Sequence, residues 1–455
     1  METIPLLSHT SPTAIVAYRA GGAITAQQFL DDAKRLAQRL PDSKHVLNVC
    51  SDRYHFTVGL AACLISKRVS LLPSTHTPQV IAQLAIFAPD AICLTDDARC
   101  DIELPRIYCP VQFSALLPTS GQPSTFSIPA IQATQLAAIV FTSGSTGRPI
   151  PYKKTWGLLA QCVRAGAPRL GLSDGRSHTL IGTVPGQHMY GFESTVLLAL
   201  LSGNAFSAER PFYPADVAAA VKRVPQPRAL VTTPIHLRTL LASEIEFPAV
   251  DLVMSATAAL SPELAREVEA KYGTTLLEIY GSTETGQIAM RRTAVTDVWQ
   301  LWPGVRLHVE NGQVFAQGGH VEQLTPMCDV IEIISEAEFL LHGRTADLVN
   351  VAGKRSSFGY LNSQLNSIPG VLDGVFFLRE GAAGSTGVDR LAAVVVAPGL
   401  SAAMITEELR QRIDAVFLPR PLLIVPHLPR NTTGKLPQQA LQAFAESQKT
   451  CDESQ

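Results

Sequence analysis

The stretch Ala137-Ala138-Ile139-Val140-Phe141-Thr142-Ser143-Gly144-Ser145-Thr146-Gly147 opens as an apolar run and closes as a loop of glycines and hydroxyls. A short unbroken apolar run bounded by turn residues is the pattern of a buried strand. Gly144 and Gly147 allow positive φ and close backbone approach, so successive N–H groups can line one concavity and hold an anion. Thr142, Ser143, Ser145 and Thr146 add hydroxyl donors at the same place. The stretch reads as a strand feeding a phosphate loop, with an ordinary capped turn as the alternative. The Walker spacing G-x-x-x-x-G-K-[ST] cannot be laid over it.

Working outward, similar apolar runs recur at Val46–Val49, Val69–Leu72, Ala91–Leu94, Ala229–Thr232, Leu252–Met254 and Leu276–Tyr280. Helical patterns lie between several of them. Phe29, Ala33, Leu36 and Leu40 recur at helical spacing behind a capping box of Thr25 and Gln28. A second helix starts with Ser261 as N-cap and Pro262 at its first position, and stops at Gly273. Alternating strands and helices predict an α/β fold with layered, largely parallel sheets. After about Arg344 the pattern resets. Asp347–Val351 is a short apolar run, Gly353-Lys354-Arg355 reads as a turn, and Val371–Leu378 and Leu391–Val396 read as strands of a smaller α+β domain. Gly381–Gly387 reads as an exposed hairpin tip. The expected division is 1–344, 345–445, and a polar tail over 446–455.

A chain of 455 residues is too long for one ordinary core. With 37 Lys+Arg against 39 Asp+Glu the net charge is −2, which leaves no electrostatic footprint for nucleic acid and no basic patch for a membrane. The 8 cysteines show no C-x-x-C, so neither a zinc site nor a disulfide framework is legible. Met1–Thr10 lacks the pattern of a secretory signal, and Val196–Leu201 is too short to span a bilayer. The expected location is the cytoplasm, without membrane insertion.

Four further stretches follow the loop in a fixed order: Pro185 with His188 and Gly191; Tyr280-Gly281-Ser282-Thr283-Glu284; Asp329 followed by Gly343-Arg344; and Leu428-Pro429-Arg430-Asn431-Thr432-Thr433-Gly434-Lys435. With Thr142–Gly147 as phosphate loop, this order resembles the adenylate-forming superfamily of acyl-CoA synthetases, aryl-CoA ligases, luciferases and peptide-synthetase adenylation domains. The resemblance covers essentially the whole chain. It implies a large ATP- and carboxylate-binding domain, a mobile C-terminal lid, and attack of a carboxylate on the α-phosphorus of ATP to give an acyl adenylate and pyrophosphate.

The resemblance also implies roles. Thr142 to Gly147 hold the β and γ phosphates, the Thr283 hydroxyl serves the α-phosphate, and Glu284 binds Mg²⁺, a hard cation suited to carboxylate oxygen. Tyr280, with Gly281 beside it, offers a ring face to adenine, and a core aromatic is its alternative. Asp329 accepts from both ribose hydroxyls, Arg344 reaches ribose or phosphate oxygens where the domains join, and Lys435 neutralises charge at the bridging α-phosphate oxygen. His188 gates or lines the carboxylate site, or packs beneath its loop. Ser255–Ala259 supplies small side chains that leave room for a flat ligand. Lys354 and Arg355 steer a pantetheine carrier after the lid rotates, or form a solvated basic turn.

The chain departs from the family pattern in places. Ile150 stands where many relatives have a lysine, leaving Lys153 or Lys154 to supply that charge, and Ala346 stands at the usual hinge position. The implied partners are a carboxylic acid and a pantetheine thiol, on acyl carrier protein or coenzyme A. The acid is aromatic, of hydroxybenzoate type, or a medium-chain fatty acid. The H-M-Y-G-F-E and L-P-R-N-T-T-G-K segments are similar to ligases that load hydroxybenzoate onto acyl carrier protein. A non-catalytic adenylate-binding regulator is the reading of another class.

Overall fold

The computed structural model describes residues 2–73, 75–109, 125–143, 149–344, 348–351, 354–379, 390–430, 436 and 441. Local chemistry sets the first helix, Ala26–Arg39. The Thr25 side chain accepts from the Gln28 N–H, and the Gln28 side chain accepts in return from the Thr25 N–H. The same logic shapes Pro262–Tyr272, which starts with Ser261 accepting from the Leu264 N–H and ends at Gly273 in the left-handed region, φ 61°.

Two large sheets carry the fold. One has six strands, in which Val69–Leu72, His45–Asn48, Ile92–Thr95 and Arg106–Tyr108 join Leu136–Ser143 in parallel, and Pro149–Thr155 adds an antiparallel edge. The other has eleven. Ile15–Arg19, Ala205–Ser207, Thr179–Gly182, Arg228–Thr232, Leu252–Ser255 and Thr275–Ser282 run parallel, with antiparallel strands at both ends. The fold is mixed α/β with parallel-rich sheets, as expected.

Strand periodicity explains the layering, because successive side chains point to opposite faces. Val46, Val140, Val231 and Met254 enter a core shared by both sheets and by the helices Ala26–Arg39 and Arg53–Ile65. Leu47, Ile139 and Phe141 face outward against the helix Pro78–Phe87. Leu230 and Val253 do the same against Pro214–Lys222, Pro234–Ala242 and Pro262–Tyr272. Strands buried on both faces read as continuous apolar runs.

One charged residue locks the layers. Arg53, at the start of Arg53–Ile65, is fully buried and donates to the carbonyls of Ser207 (2.8 Å), Glu209 (2.7 Å), Gly182 (2.9 Å) and Val184 (2.9 Å), all on or just beyond strands of the larger sheet. Burial lowers its pKa to about 10, still charged at neutral pH.

Beyond residue 348, Asp373–Arg379, Arg390–Val396 and Leu422–Ile424 form a separate sheet. Helices Phe358–Asn366 and Ala402–Arg410 cover one face of it around Leu361, Phe376 and Ile405. One expectation is corrected here. Lys354 and Arg355 lie in a strand, Lys354–Ser357, paired with Leu348–Val351, and not in a turn. Lys354 pairs with the β-branched Val351, a residue type that favours extension, and Arg355 with Asn350. Gly381–Gly387 and 446–455 lie outside the described residues.

Replacing Thr25 by Ala removes one half of the capping box. The expected loss is about 1 kcal/mol, read as a lower urea midpoint with an unchanged slope.

Candidate active site

The two sheets present their loops to each other at the hairpin formed by Thr275–Ser282 and Gly286–Arg291. Gly281 is essential to its tightness: a Cβ there would lie 2.2 Å from the Gly286 carbonyl oxygen and 2.8 Å from the Gln287 Cα. The tip is tied by its own hydroxyls, with the Ser282 N–H donating to Thr285 Oγ1 (3.2 Å) and the Thr285 N–H to Ser282 Oγ (3.2 Å). Thr283 and Glu284, at that tip, are half-buried.

Pro149–Thr155, the antiparallel partner of Leu136–Ser143, reaches this tip from the smaller sheet. Burial, and after it the nearby Glu284 charge, raise the pKa of the Tyr152 hydroxyl on this strand. Lys154 Nζ donates to the Glu284 carbonyl at 2.9 Å. Lys153 lies on the opposite, exposed face. Of the two lysines left as alternatives by the sequence, Lys154 therefore points into the site's floor and Lys153 away from it. The loop residues Gly144, Ser145, Thr146 and Gly147 and the side chain of Ser143 lie outside the described residues, as does Lys435. Arg344 is described in its backbone only.

Tyr280 and Asp329 are brought together. The Tyr280 hydroxyl donates to Asp329 Oδ2. Asp329 is the direct register partner of Arg344 across the strands Asp329–Ile333 and Glu338–Arg344. The Tyr280 ring packs at 5.4 Å from Trp299 and 5.6 Å from Phe339, so it ends a core aromatic cluster as well as orienting Asp329.

His188 precedes the short helix Met189–Gly191, which continues as a π-helical turn over Phe192–Leu197. Tyr190 pins this segment by donating to the Met254 carbonyl at 2.9 Å. That carbonyl lies just before Ser255–Ala259, where Thr257 adopts φ 78°, a left-handed conformation unusual for a β-branched residue. Inside the turn, Glu193 accepts from the Gln287 N–H (3.1 Å) and from Cys162 Sγ (3.4 Å), while Gln287 Nε2 donates to Ser194 Oγ (2.7 Å). Burial raises the Glu193 pKa to about 7, and Lys154 is the largest influence opposing that rise. Both oxygens accept hydrogen bonds, which is the pattern of the ionised form.

Sequence reasoning missed Glu193, Tyr152 and Arg53, as well as the buried histidines. His236 Nδ1 lies 2.8 Å from Thr233 Oγ1. Burial lowers the pKa of His236 to about 4, and burial together with the Lys154 charge does the same for His320. Both are neutral at physiological pH.

The donor set suits a nucleotide carrying its own metal. Glu284 offers one carboxylate, and no group of three or more His, Cys, Asp or Glu able to hold an ion by itself occurs among the described residues. Magnesium, which retains waters and shares substrate phosphates, matches so sparse a set. Among the described residues no helix is long and apolar enough to cross a membrane.

Comparison with known proteins agrees with this architecture. The sequence pattern of a family described as AMP-binding enzyme matches residues 8–319. A 4-coumarate–CoA ligase from Halorhodospira halophila is 32% identical over 307 residues, 65% of this chain and 73% of that protein. One from Rhodobacter capsulatus is 30% identical over 290 residues, 64% and 71% of the two chains. In three dimensions the chain is similar to ATP-bound MatB from Rhodopseudomonas palustris, with TM-score 0.80, 20% identity, and coverage of 96% and 97%. The chain belongs to the AMP-binding enzyme family. It is an AMP-forming acid–thiol ligase of the CoA-ligase group, and ATP is the nucleotide that group uses.

Two outcomes follow from the geometry. Gly281→Ala forces the hairpin apart at the backbone, so adenylate formation falls by about 10-fold or more while circular dichroism stays that of a folded protein. The two histidines generate an acid-sensitive stability. The unfolded chain takes up protons below 6.5 and the folded chain only near 4, so stability is lost as pH falls through that window. Each contributes about 3 kcal/mol of that slope, and a His236→Gln/His320→Gln variant shows a flatter dependence of thermal midpoint on pH.

Proposed function

We propose that the chain activates an aromatic carboxylic acid of hydroxybenzoate type with ATP and Mg²⁺, then passes the acyl group to a pantetheine thiol on acyl carrier protein or coenzyme A. The observation that carries this reading is the Lys154 bond to the Glu284 carbonyl, which seats the strand following residues 142–147 on the hairpin that also holds Tyr280 against Asp329. Phosphate-binding, metal-binding and ribose-binding chemistry thus share one short segment of backbone.

In the first half-reaction a carboxylate oxygen attacks the α-phosphorus, the bond to the bridging oxygen breaks, and pyrophosphate leaves. Two anions must approach, so charge neutralisation is the main task. Residues 142–147 hold the β and γ phosphates by backbone N–H groups and hydroxyls. Thr283 donates to the α-phosphate, Tyr280 and Gly281 border the adenine, Asp329 accepts from the ribose hydroxyls, and Arg344 adds a fixed positive charge. Glu284 would hold magnesium, which would supply positive charge against the phosphates. His188 lines the carboxylate site. Lys435 is brought by the lid, residues 345–445, to the bridging oxygen as charge develops. In the second half-reaction a thiolate attacks the acyl carbon and AMP leaves.

An aromatic acid is favoured by similarity to two ligases named for 4-coumarate and by the small side chains of Ser255–Ala259, held beside Tyr190. Carboxylate-dependent ATP–pyrophosphate exchange tests the reading. Hydroxybenzoates support exchange better than medium-chain fatty acids, and coenzyme A and acyl carrier protein are then compared as acceptors. Flat exchange across aryl and alkyl acids with magnesium present overturns the reading in favour of an adenylate-binding regulator. Lys435→Ala lowers exchange by about 100-fold or more and leaves transfer from preformed adenylate intact. Wild-type exchange in that variant removes Lys435 from the site.

A further inference from the structure

Lys154 and Glu193 carry opposite charges that the chemistry above does not use, and both are withdrawn from water, at 8% and 3% exposed. Lys154 lies on the strand leaving the phosphate loop, and Glu193 on the π-helical turn following His188. Each feels the other's charge. Their hydrogen bonds, however, converge on the main chain of one hairpin. Lys154 Nζ donates to the Glu284 carbonyl at 2.9 Å, and Glu193 Oε2 accepts from the Gln287 N–H at 3.1 Å. Gly286, between them, has φ 72°, and a Cβ there would lie 2.7 Å from Glu193 Oε1, so only glycine admits the carboxylate. Tyr152, on the same face of its strand as Lys154, is close enough to feel the charge of the Glu284 carboxylate itself.

A buried ion pair adds little stability over apolar residues of similar volume, because withdrawing two charges from water offsets their attraction. Geometry is what this pair supplies. The hairpin tip bearing Glu284 is gripped on one side from the phosphate-loop strand and on the other from the His188 segment, and lone apolar side chains offer no such directional hold.

We propose that Lys154 and Glu193 are a charge-compensated pair of positioning residues that sets the Glu284 carboxylate where magnesium is received. The inference rests on the reading of Glu284 as the magnesium ligand. It extends that reading to two residues whose hydrogen bonds go to the hairpin's main chain and that join three separate segments of the chain.

The test compares Lys154→Met, Glu193→Gln and the double variant Lys154→Met/Glu193→Gln with the wild type. Affinity for the non-hydrolysable analogue α,β-methylene-ATP is measured by calorimetry with saturating magnesium and again with chelator; the ratio is the magnesium enhancement. Thermal midpoints and metal-free AMP affinity are recorded alongside. Each single change lowers the midpoint, since it leaves a buried charge uncompensated, and lowers the magnesium enhancement by about 10- to 100-fold, with AMP affinity unchanged. The double variant regains the midpoint but keeps the weakened magnesium enhancement. If it regains both, the pair is structural only and the inference is overturned. Wild-type magnesium enhancement in the double variant overturns it also, and that variant decides the matter where a single change prevents folding. A wild type with no magnesium enhancement overturns the reading of Glu284 itself, an outcome distinct from the other two.

Discussion

Two buried cations joined to main-chain carbonyls hold the two large sheets in one frame. Arg53 starts a helix between the sheets and caps carbonyls at the ends of Thr179–Gly182 and Ala205–Ser207. Lys154 leaves the edge of the smaller sheet and caps Glu284 on a hairpin of the larger one. Hydrophobic packing between sheets is non-directional and leaves lateral freedom. A charged donor on a carbonyl in a low-dielectric interior does not, because losing the bond strands a buried charge. A reaction that brings two anions together needs donors from both sheets to stay in register.

The same reasoning extends along the chain. Antiparallel pairing of Asp329–Ile333 with Glu338–Arg344 sets Asp329 opposite Arg344, and the Tyr280 hydroxyl fixes the Asp329 carboxylate from the hairpin. Further on, Asp373 accepts from Arg430 Nε at 2.6 Å and Nη2 at 2.7 Å. It also lies 3.9 Å from Arg238 of the helix Pro234–Ala242. This contact reaches from the ATP-binding part of the chain to the segment leading into Lys435. Its central carboxylate is nearly sealed from solvent, so little screening weakens it.

What was legible in the sequence was local. Thr25 with Gln28, and Ser261-Pro262 with Gly273, announce helix ends because a cap is made within four residues. Val69–Leu72 reads as a strand because both its faces are buried. Lys354-Arg355 misled: a glycine beside two basic residues has the composition of a turn, yet pairing with Leu348–Val351 extends the strand. Thr257 carries no sign of its left-handed backbone, because neighbours impose that conformation. Ile150 at the family's usual lysine position left Lys153 and Lys154 as alternatives, and only the packed sheets show which of them is buried.

The sequence by itself determined the alternation of strands and helices, which follows from side-chain periodicity, and the class of reaction, which follows from a family resemblance carried by short segments such as Tyr280–Glu284. Only the tertiary structure decided that Lys154 turns inward to Glu284, that Glu193 meets Gln287, and that Tyr280 meets Asp329. Those contacts join residues far apart in the chain, and the burial that gives them their strength does not exist until both sheets have packed.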